Sequence, residues 1–304
     1  MENAKASMTA MVSCFGRGYH SLYDEPKVFD DFLARKFLTD EEFSQISGHM
    51  ENGIQFFNSE HGGEFTDSKE ALKWVVQNQI APTPLARARY CEDMLKNAVI
   101  LGVEQYVILG AGMDTFAFRN IDMMKELEVF EIDHPATQEL KISKIKMIDL
   151  EVPNKLHFVP VNFRTDDFFN IMLTTNFDRM KRSFFSWLGV TYYLSKEDIV
   201  QLLKSIVSIS AKGSSIVFDY GDEHFFDKDK SSKRVQHTVA MAAAAGEPMK
   251  SCFSYRELES ILEESGLLIY EHLDSHEIDS MYFQDRTDYY HAFENTNFVL
   301  AVVK

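Results

Sequence analysis

Cysteine is scarce in this chain of 304 residues. Cys14, Cys91 and Cys252 are too few and too scattered for a disulfide framework or a metal site. They fit a reducing compartment. Proline and glycine are sparse as well, at 7 and 14 residues, and no repeat or low-complexity tract divides the chain. Long apolar runs are missing: no window approaches the roughly 18 residues that a membrane span needs. Residues 1–15 lack the basic n-region, long h-region and small-residue cleavage site of a secretory leader. The expectation is a cytoplasmic protein with no membrane partner. Positive charge is in deficit, with 31 basic against 47 acidic side chains and a net charge of -16. Such a surface repels phosphate backbones, so nucleic acid is not expected as a partner. A small anionic substrate stays compatible, because a pocket can carry its own local sign.

What is present is an ordinary globular mixture, 45% hydrophobic and 26% charged, on a chain long enough to bury a substantial core. Up to about residue 101 the apolar spacing is helical; "VFDDFLARKFL" sets Val28, Phe29, Phe32, Leu33 and Phe37 along one stripe, as in a helix packed on a core. The pattern then changes. "YVILGAG" is a short apolar run ending in glycines, which suits a buried parallel strand entering a tight turn. Further strands are expected at 127–132, 158–161, 183–187 and 214–220, with helical segments between them. The clearest helix is "SKEDIVQLLKSIVSISAKG", where Ser195 is the N-cap, Glu197 and Asp198 fill the first turn and Gly213 is the stop. Alternation of this kind predicts an α/β fold with a parallel, doubly wound sheet. At the end, "YRELESILEESG" reads as a helix and "LLIYEHL" and "NFVLAVVK" as two strands joined by a short irregular stretch. Two strands with no helix between them pair antiparallel, an arrangement that suggests methyltransferases more than nicotinamide dehydrogenases.

The segment "VILGAGMDTFAFR" carries the most chemistry. Its turn, Gly110-Ala111-Gly112, lets backbone N–H groups approach a ligand closely because two side chains are missing. Thr115 stands where a dinucleotide fingerprint has its third glycine, which weakens a nicotinamide reading. Asp133 ends the next strand about 20 positions later, where an acidic residue accepts hydrogen bonds from both ribose hydroxyls of an adenosine cofactor.

Taken together, "LGAGMDTFAFR", "EIDHPATQELK", "FVPVNFR" and "SWLGVTYYLSKEDI" resemble the leucine carboxyl methyltransferase and polyketide O-methyltransferase family, which includes the tetracenomycin carboxylate methyltransferase. The resemblance runs in order from roughly Phe15 to the C-terminus. It implies a Rossmann-like class I methyltransferase, with a mostly parallel sheet, an antiparallel C-terminal strand and an N-terminal helical extension. Residues 1–101 would form a helical cap and residues 102–304 the core, with a helical insertion at about 222–254. The cofactor would be S-adenosylmethionine and the partner a small-molecule methyl acceptor; no oligomeric state follows.

Residue by residue, the resemblance implies that Gly110, Ala111 and Gly112 line the methionine part of the cofactor and that Asp133 holds its ribose. Arg87, in "LARARYCEDML", would bind the cofactor's carboxylate with its planar fork, in preference to Arg89. Asn162 and Phe163 would contact adenine, although relatives usually have Asp at the first of these positions. Leu188 stands where many relatives carry a Glu tied to the cofactor or acceptor site, so acid–base chemistry by that Glu does not occur here. Trp187, Tyr192 and Tyr193 fit pocket lining and core packing equally. Methyl transfer from a sulfonium is an in-line displacement in which the cofactor carries the hard chemistry. A carboxylate acceptor requires no base, whereas a hydroxyl requires proton removal. His20, His134, His157, His224 and His291 are scattered, and no catalytic residue is assigned. The segment "GRGYHSLYD" and residues 222–254 are the candidate walls of the acceptor pocket. The competing readings are a nicotinamide-dependent oxidoreductase and a protein that binds S-adenosylmethionine without turnover.

Overall fold

The computed structural model describes residues 6–60 and 62–304; residues 1–5, part of the start read above for a leader, and His61 lie outside the described residues. The first hundred residues form the helices α1 (Met8–Tyr23), α2 (Asp40–Asn52), α3 (Ile54–Phe57), α4 (Ser68–Val75) and α5 (Pro82–Ile100), with a π-helical turn at Val76–Ile80 between α4 and α5. Local chemistry sets these starts. Ser7 caps α1 by accepting from Ala10 N, Thr39 and Glu42 close a reciprocal capping box on α2, and Pro82 opens α5 where its missing N–H is harmless.

The stripe at residues 28–38 is not an α-helix. It forms turns and a short 3-10 helix, Ala34–Phe37. Val28, Phe29, Leu33 and Phe37 are buried as the spacing predicts, but Phe32 is exposed. The reason is Asp31, which is drawn inward: it accepts from Arg17, from the Thr115 hydroxyl (2.6 Å) and from Ala34 N. A carboxylate held in this way cannot sit on the outer face of a continuous helix.

The remainder alternates: β1 (Gln105–Leu109), α6 (Phe116–Arg119), β2 (Glu128–Asp133), α7 (Pro135–Met147), β3 (Leu156–Pro160), α8 (Phe168–Leu173), β4 (Ser183–Trp187), α9 (Lys196–Ile209), β5 (Ser215–Gly221), α10 (Lys233–Ala244), α11 (Tyr255–Glu264), β6 (Leu267–Leu273), α12 (Ser275–Tyr282) and β7 (Thr296–Val303). The strands form one sheet in the order β3-β2-β1-β4-β5-β7-β6. Every pairing is parallel except those of β7, which runs antiparallel to both β5 and β6. The connection from β6 to β7 is not helix-free. Asp274 and Glu277 form a capping box that starts α12 within it, a signal visible in "DSHE". The antiparallel pairing holds regardless, because the return brings the chain back along β5.

Both faces of the sheet are covered, so β1 and β4 are buried along their whole length. Val107, Leu109, Phe130 and Ile132 pack with Leu202, Leu203 and Ile206 of α9 on one face. Tyr106, Ile108 and Val129 pack with the N-terminal helices on the other. Strand order reverses between β1 and β4. In open α/β sheets the crevice at the carboxyl ends of the strands flanking that reversal receives the ligand.

Candidate functional site

β1 delivers the chain to Gly110 and Gly112, whose φ angles of +72° and +51° are left-handed and favour glycine. Each also meets a close neighbour. A Cβ at Gly110 would lie 2.3 Å from the Cγ2 of Val190, in the loop after β4, and one at Gly112 would lie 3.1 Å from Ala10 on α1. The turn is thus clasped between the β4 loop and the start of α1, with Ala111 buried between them.

Asp133, the last residue of β2, reaches this turn. Its carboxylate accepts from Gly112 N (2.5 Å) through one oxygen and from His134 N (2.6 Å) through the other. Burial pushes its carboxyl above the usual carboxylate range, against the pull of those two N–H groups. His134 caps α7, with Nδ1 accepting from Ala136 N.

On α5 the two candidate arginines separate. Arg89 faces outward to Asp93 (2.6 Å). Arg87 points inward and donates from Nη1 to Asp219 (2.9 Å), with side-chain exposures of 16% and 0%. Its guanidinium lies directly on Gly189, where a Cβ would stand 2.4 Å from both terminal nitrogens. Asp219 was not singled out from sequence. It sits in β5 and also accepts from Gly189 N (2.6 Å) and from the Tyr192 hydroxyl (3.2 Å). The available signal was a carboxylate inside "SIVFDYG", since a charge in a fully buried strand demands a partner. Burial, then Asp219, pushes the Tyr192 phenol well above its usual value, so it remains a donor.

Leu188 is half-buried against the helical side of the core, next to Gly189. Trp187 is fully buried against Phe218 and belongs to the core. Asn162 and Phe163 follow β3 at the edge of the site. The Asn162 side-chain oxygen accepts from Arg164 N (3.1 Å) and its backbone N–H donates to Asp166 (2.8 Å), so this amide first serves its own turn. Phe163 lies half-buried beside Phe168. His20 is structural: Nε2 accepts from Val28 N (2.8 Å), while Nδ1 faces Asp24 and Tyr290.

The start of α1 is bound over the turn. Glu247, just beyond α10, accepts from the Ser7 hydroxyl (3.0 Å), Met8 N (2.7 Å) and the Thr9 hydroxyl (2.6 Å). A carboxylate at a helix N-terminus also meets the positive end of its dipole. Ser7 N in turn donates to Thr137 of α7 (3.2 Å). An open recess of about 800 Å³ lined by Phe169, Lys196, Gln201 and Glu257 lies elsewhere, along α9, and contains none of these groups.

Beneath Asp133, on the same face of β2, Glu131 is fully buried against Lys141 of α7. Burial outweighs the Lys141 ammonium and pushes the Glu131 carboxyl up to about 7, from an ordinary 4.5; Asp114 and Asp133 add to the rise. Its Oε1 has no partner among the described residues. A raised folded pKa means that the folded state binds the proton more tightly. Stability from this group is therefore fullest at acid pH and declines as pH climbs from about 4.5 through 7. Melting temperatures of Glu131→Gln between pH 5 and pH 8 should fall less steeply than those of the native chain. Parallel slopes would contradict the assignment.

With this geometry in place, the family model described as leucine carboxyl methyltransferase matches residues 10–207. The chain belongs to the leucine carboxyl methyltransferase family. YktD of Bacillus subtilis (strain 168), provisionally named as an S-adenosyl-L-methionine-dependent methyltransferase, is 49% identical over 305 residues, covering 100% of both chains. Among solved structures, a duf574 family protein from Streptomyces avermitilis aligns with a TM-score of 0.60 at 11% identity, covering 99% of this chain and 98% of that one. A provisionally assigned methyltransferase from Thermobifida fusca aligns at 0.56 and 10% identity, covering 100% and 97%. At such identities these two likenesses bear on the fold alone. This member of the leucine carboxyl methyltransferase family is an S-adenosylmethionine-dependent methyltransferase, and the nicotinamide alternative falls away. No helix among the described residues is long and apolar enough to cross a membrane.

Proposed function

We propose that this methyltransferase moves a methyl group to an oxygen of a small molecule, a carboxylate or a hydroxyl, with its donor held by Arg87, Gly110, Ala111, Gly112, Asp133, Asn162, Phe163 and Leu188. The observation that carries the reading is the Arg87–Asp219 pair lying on Gly189. Only one guanidinium nitrogen is used by Asp219, so the rest of the fork is available to the cofactor's carboxylate. Each Asp133 oxygen accepts one backbone N–H and keeps a lone pair for a ribose hydroxyl. The glycine turn keeps its backbone free of side chains, since a Cβ at Gly110 would strike Val190 and one at Gly112 would crowd Ala10. These groups fit S-adenosylmethionine, which supplies an electrophilic methyl on sulfur.

Residues 1–101 act as a cap that brings Arg87 to the core of residues 102–304, and residues 222–254 act as a cover. The protein's part is to hold the acceptor oxygen in line and exclude water. His20 and His134 both have ring nitrogens committed to backbone N–H groups. That favours an acceptor that arrives ionised, a carboxylate, over one that must surrender a proton.

Calorimetric titration should give micromolar binding of S-adenosylmethionine and S-adenosylhomocysteine and none of NADH. Methyl-labelled donor and a set of aryl carboxylates should then give an alkali-labile ester. Label arriving on nitrogen or carbon would refute transfer to oxygen.

A further inference from the structure

We infer that Asn78 and Gln79 form the far end of the acceptor site, where their side-chain oxygens receive a hydroxyl or amino donor on an aromatic acceptor. The inference rests on the methyl-transfer reading above. Both residues lie in the π-helical turn Val76–Ile80, a distortion that is frequent at functional sites. Gln79 is 4% exposed. Its Nε2 donates to the Arg234 carbonyl (2.8 Å) and the Thr238 hydroxyl (2.8 Å) of α10. The carbonyl partner fixes which end of the amide is nitrogen, and Oε1 is left without a partner among the described residues. Asn78 is held through its backbone instead. Its backbone carbonyl accepts from Arg234 Nε (3.0 Å) and Nη2 (2.6 Å), while its buried Oδ1 has no partner. His237, between Arg234 and Thr238 on α10, has a third unpartnered atom, Nδ1. Burial and the Lys233 ammonium hold this imidazole below the usual histidine range, so it is neutral at pH 7.

Native folds pair nearly all buried polar atoms, and each exception requires a cause. Three exceptions where one π-turn meets one turn of α10 point to a shared ligand. Its chemistry follows from what the atoms offer. Two amide oxygens accept hydrogen bonds and repel a carboxylate. The nearby cations are committed: Arg234 donates to the carbonyls of Asn78, His291 and Ala292, and Lys233 to Glu60 (2.6 Å). The His237 ring lies against Phe56 and Phe57, with centroids 4.7 and 6.0 Å away, which adds aromatic surface. A neutral O–H or N–H on a ring satisfies this set.

Two helices measure the distance to the methyl donor. α1 touches Gly112 at Ala10 and touches Ile80 and Ala81 at Gly16, six residues on and about 9 Å along the axis. Gln79 precedes Arg87 by eight residues, about 12 Å along a helix axis. The gap suits an aryl acceptor with its reacting oxygen at one end and the donor at the other.

The test is titration of the full chain, saturated with S-adenosylhomocysteine, with the matched pairs 4-hydroxybenzoate and benzoate, and 4-hydroxycinnamate and cinnamate. The hydroxylated member of each pair should bind at least tenfold more tightly. Asn78→Leu keeps the side chain's size and removes no bond made within the fold; it should bring that ratio close to one while S-adenosylhomocysteine affinity stays within twofold. Equal binding within each pair by the native chain, or no binding of any of the four, overturns the inference whether or not the variant folds. So does an unchanged ratio in a folded variant, which would mean that water alone fills the site. Failure to bind S-adenosylhomocysteine would be a separate result, and would remove the donor assignment beneath it.

Discussion

Replacing Asp133 by alanine is expected to weaken S-adenosylmethionine binding by about 2–4 kcal/mol, roughly 30- to 900-fold in Kd. The loss is that of two charge-assisted bonds to ribose hydroxyls. The carboxylate also holds Gly112 N and His134 N, so the alanine variant loosens the turn as well. Asp133→Asn separates the two effects, since its carbonyl oxygen keeps one acceptor in place; its deficit should be intermediate. Calorimetric titration reads both variants, with thermal melting as the check on folding. Native affinity in the alanine variant would remove Asp133 from the site. Because burial raises its carboxyl pKa, the native chain should also lose cofactor affinity on acidification sooner than an ordinary carboxylate would dictate.

Loss of Asp219 should be felt in the fold as much as in the site. Asp219→Ala strands the Arg87 guanidinium at 16% exposure with no counter-charge and leaves Gly189 N without its acceptor. Breaking a buried pair from one side costs about 3–5 kcal/mol, or roughly 5–8 °C in melting temperature for a chain of this size. Asp219→Asn keeps one oxygen acceptor, for Gly189 N or for Arg87 and Tyr192, and turns an amide N–H2 toward the other side, so its loss should be smaller than that of the alanine variant but still clear. The double variant Arg87→Met with Asp219→Leu removes both charges and should melt above Asp219→Ala, though below the native protein because Gly189 N and the Tyr192 hydroxyl still lose their acceptor, and it should fail to bind the cofactor. If the single alanine variant melted at the native temperature, the pair would not be a structural element at all.

Much of the sheet was legible in the sequence because parallel strands buried on both faces read as uninterrupted apolar runs. The strand at 183–187 falls where it was expected, as does the one at 267–273, and the others differ by one or two residues at their ends. The glycine turn was legible for a related reason: two glycines after such a run mark a tight turn, and both take left-handed φ. What local pattern could not carry was pairing across the chain. Residues 28–38 have helical spacing, but Asp31 answers to Arg17, Thr115 and Arg119, the last two more than eighty residues away. Burial alone would raise the Asp31 carboxyl; the two arginines outweigh it and hold it below the usual range. Asp219 was passed over for the same reason. Its partner Arg87 lies 132 residues earlier, and nothing adjacent in sequence announces it. Asn162 was legible as a departure from the family, but its engagement with Arg164 N depends on a turn that only coordinates reveal.

The bond from Glu247 to the first turn of α1 spans 239 residues. During synthesis the amino-terminal helix leaves the ribosome long before the carboxylate that caps it exists, and Arg87 likewise precedes Asp219. Closing contacts so distant in sequence carries a high entropic cost and slows folding. The amino-terminal helices of this protein must therefore wait, their apolar faces unburied, until the sheet has been delivered beneath them. That interval is when a nascent chain of this kind is most exposed to aggregation and most dependent on chaperones.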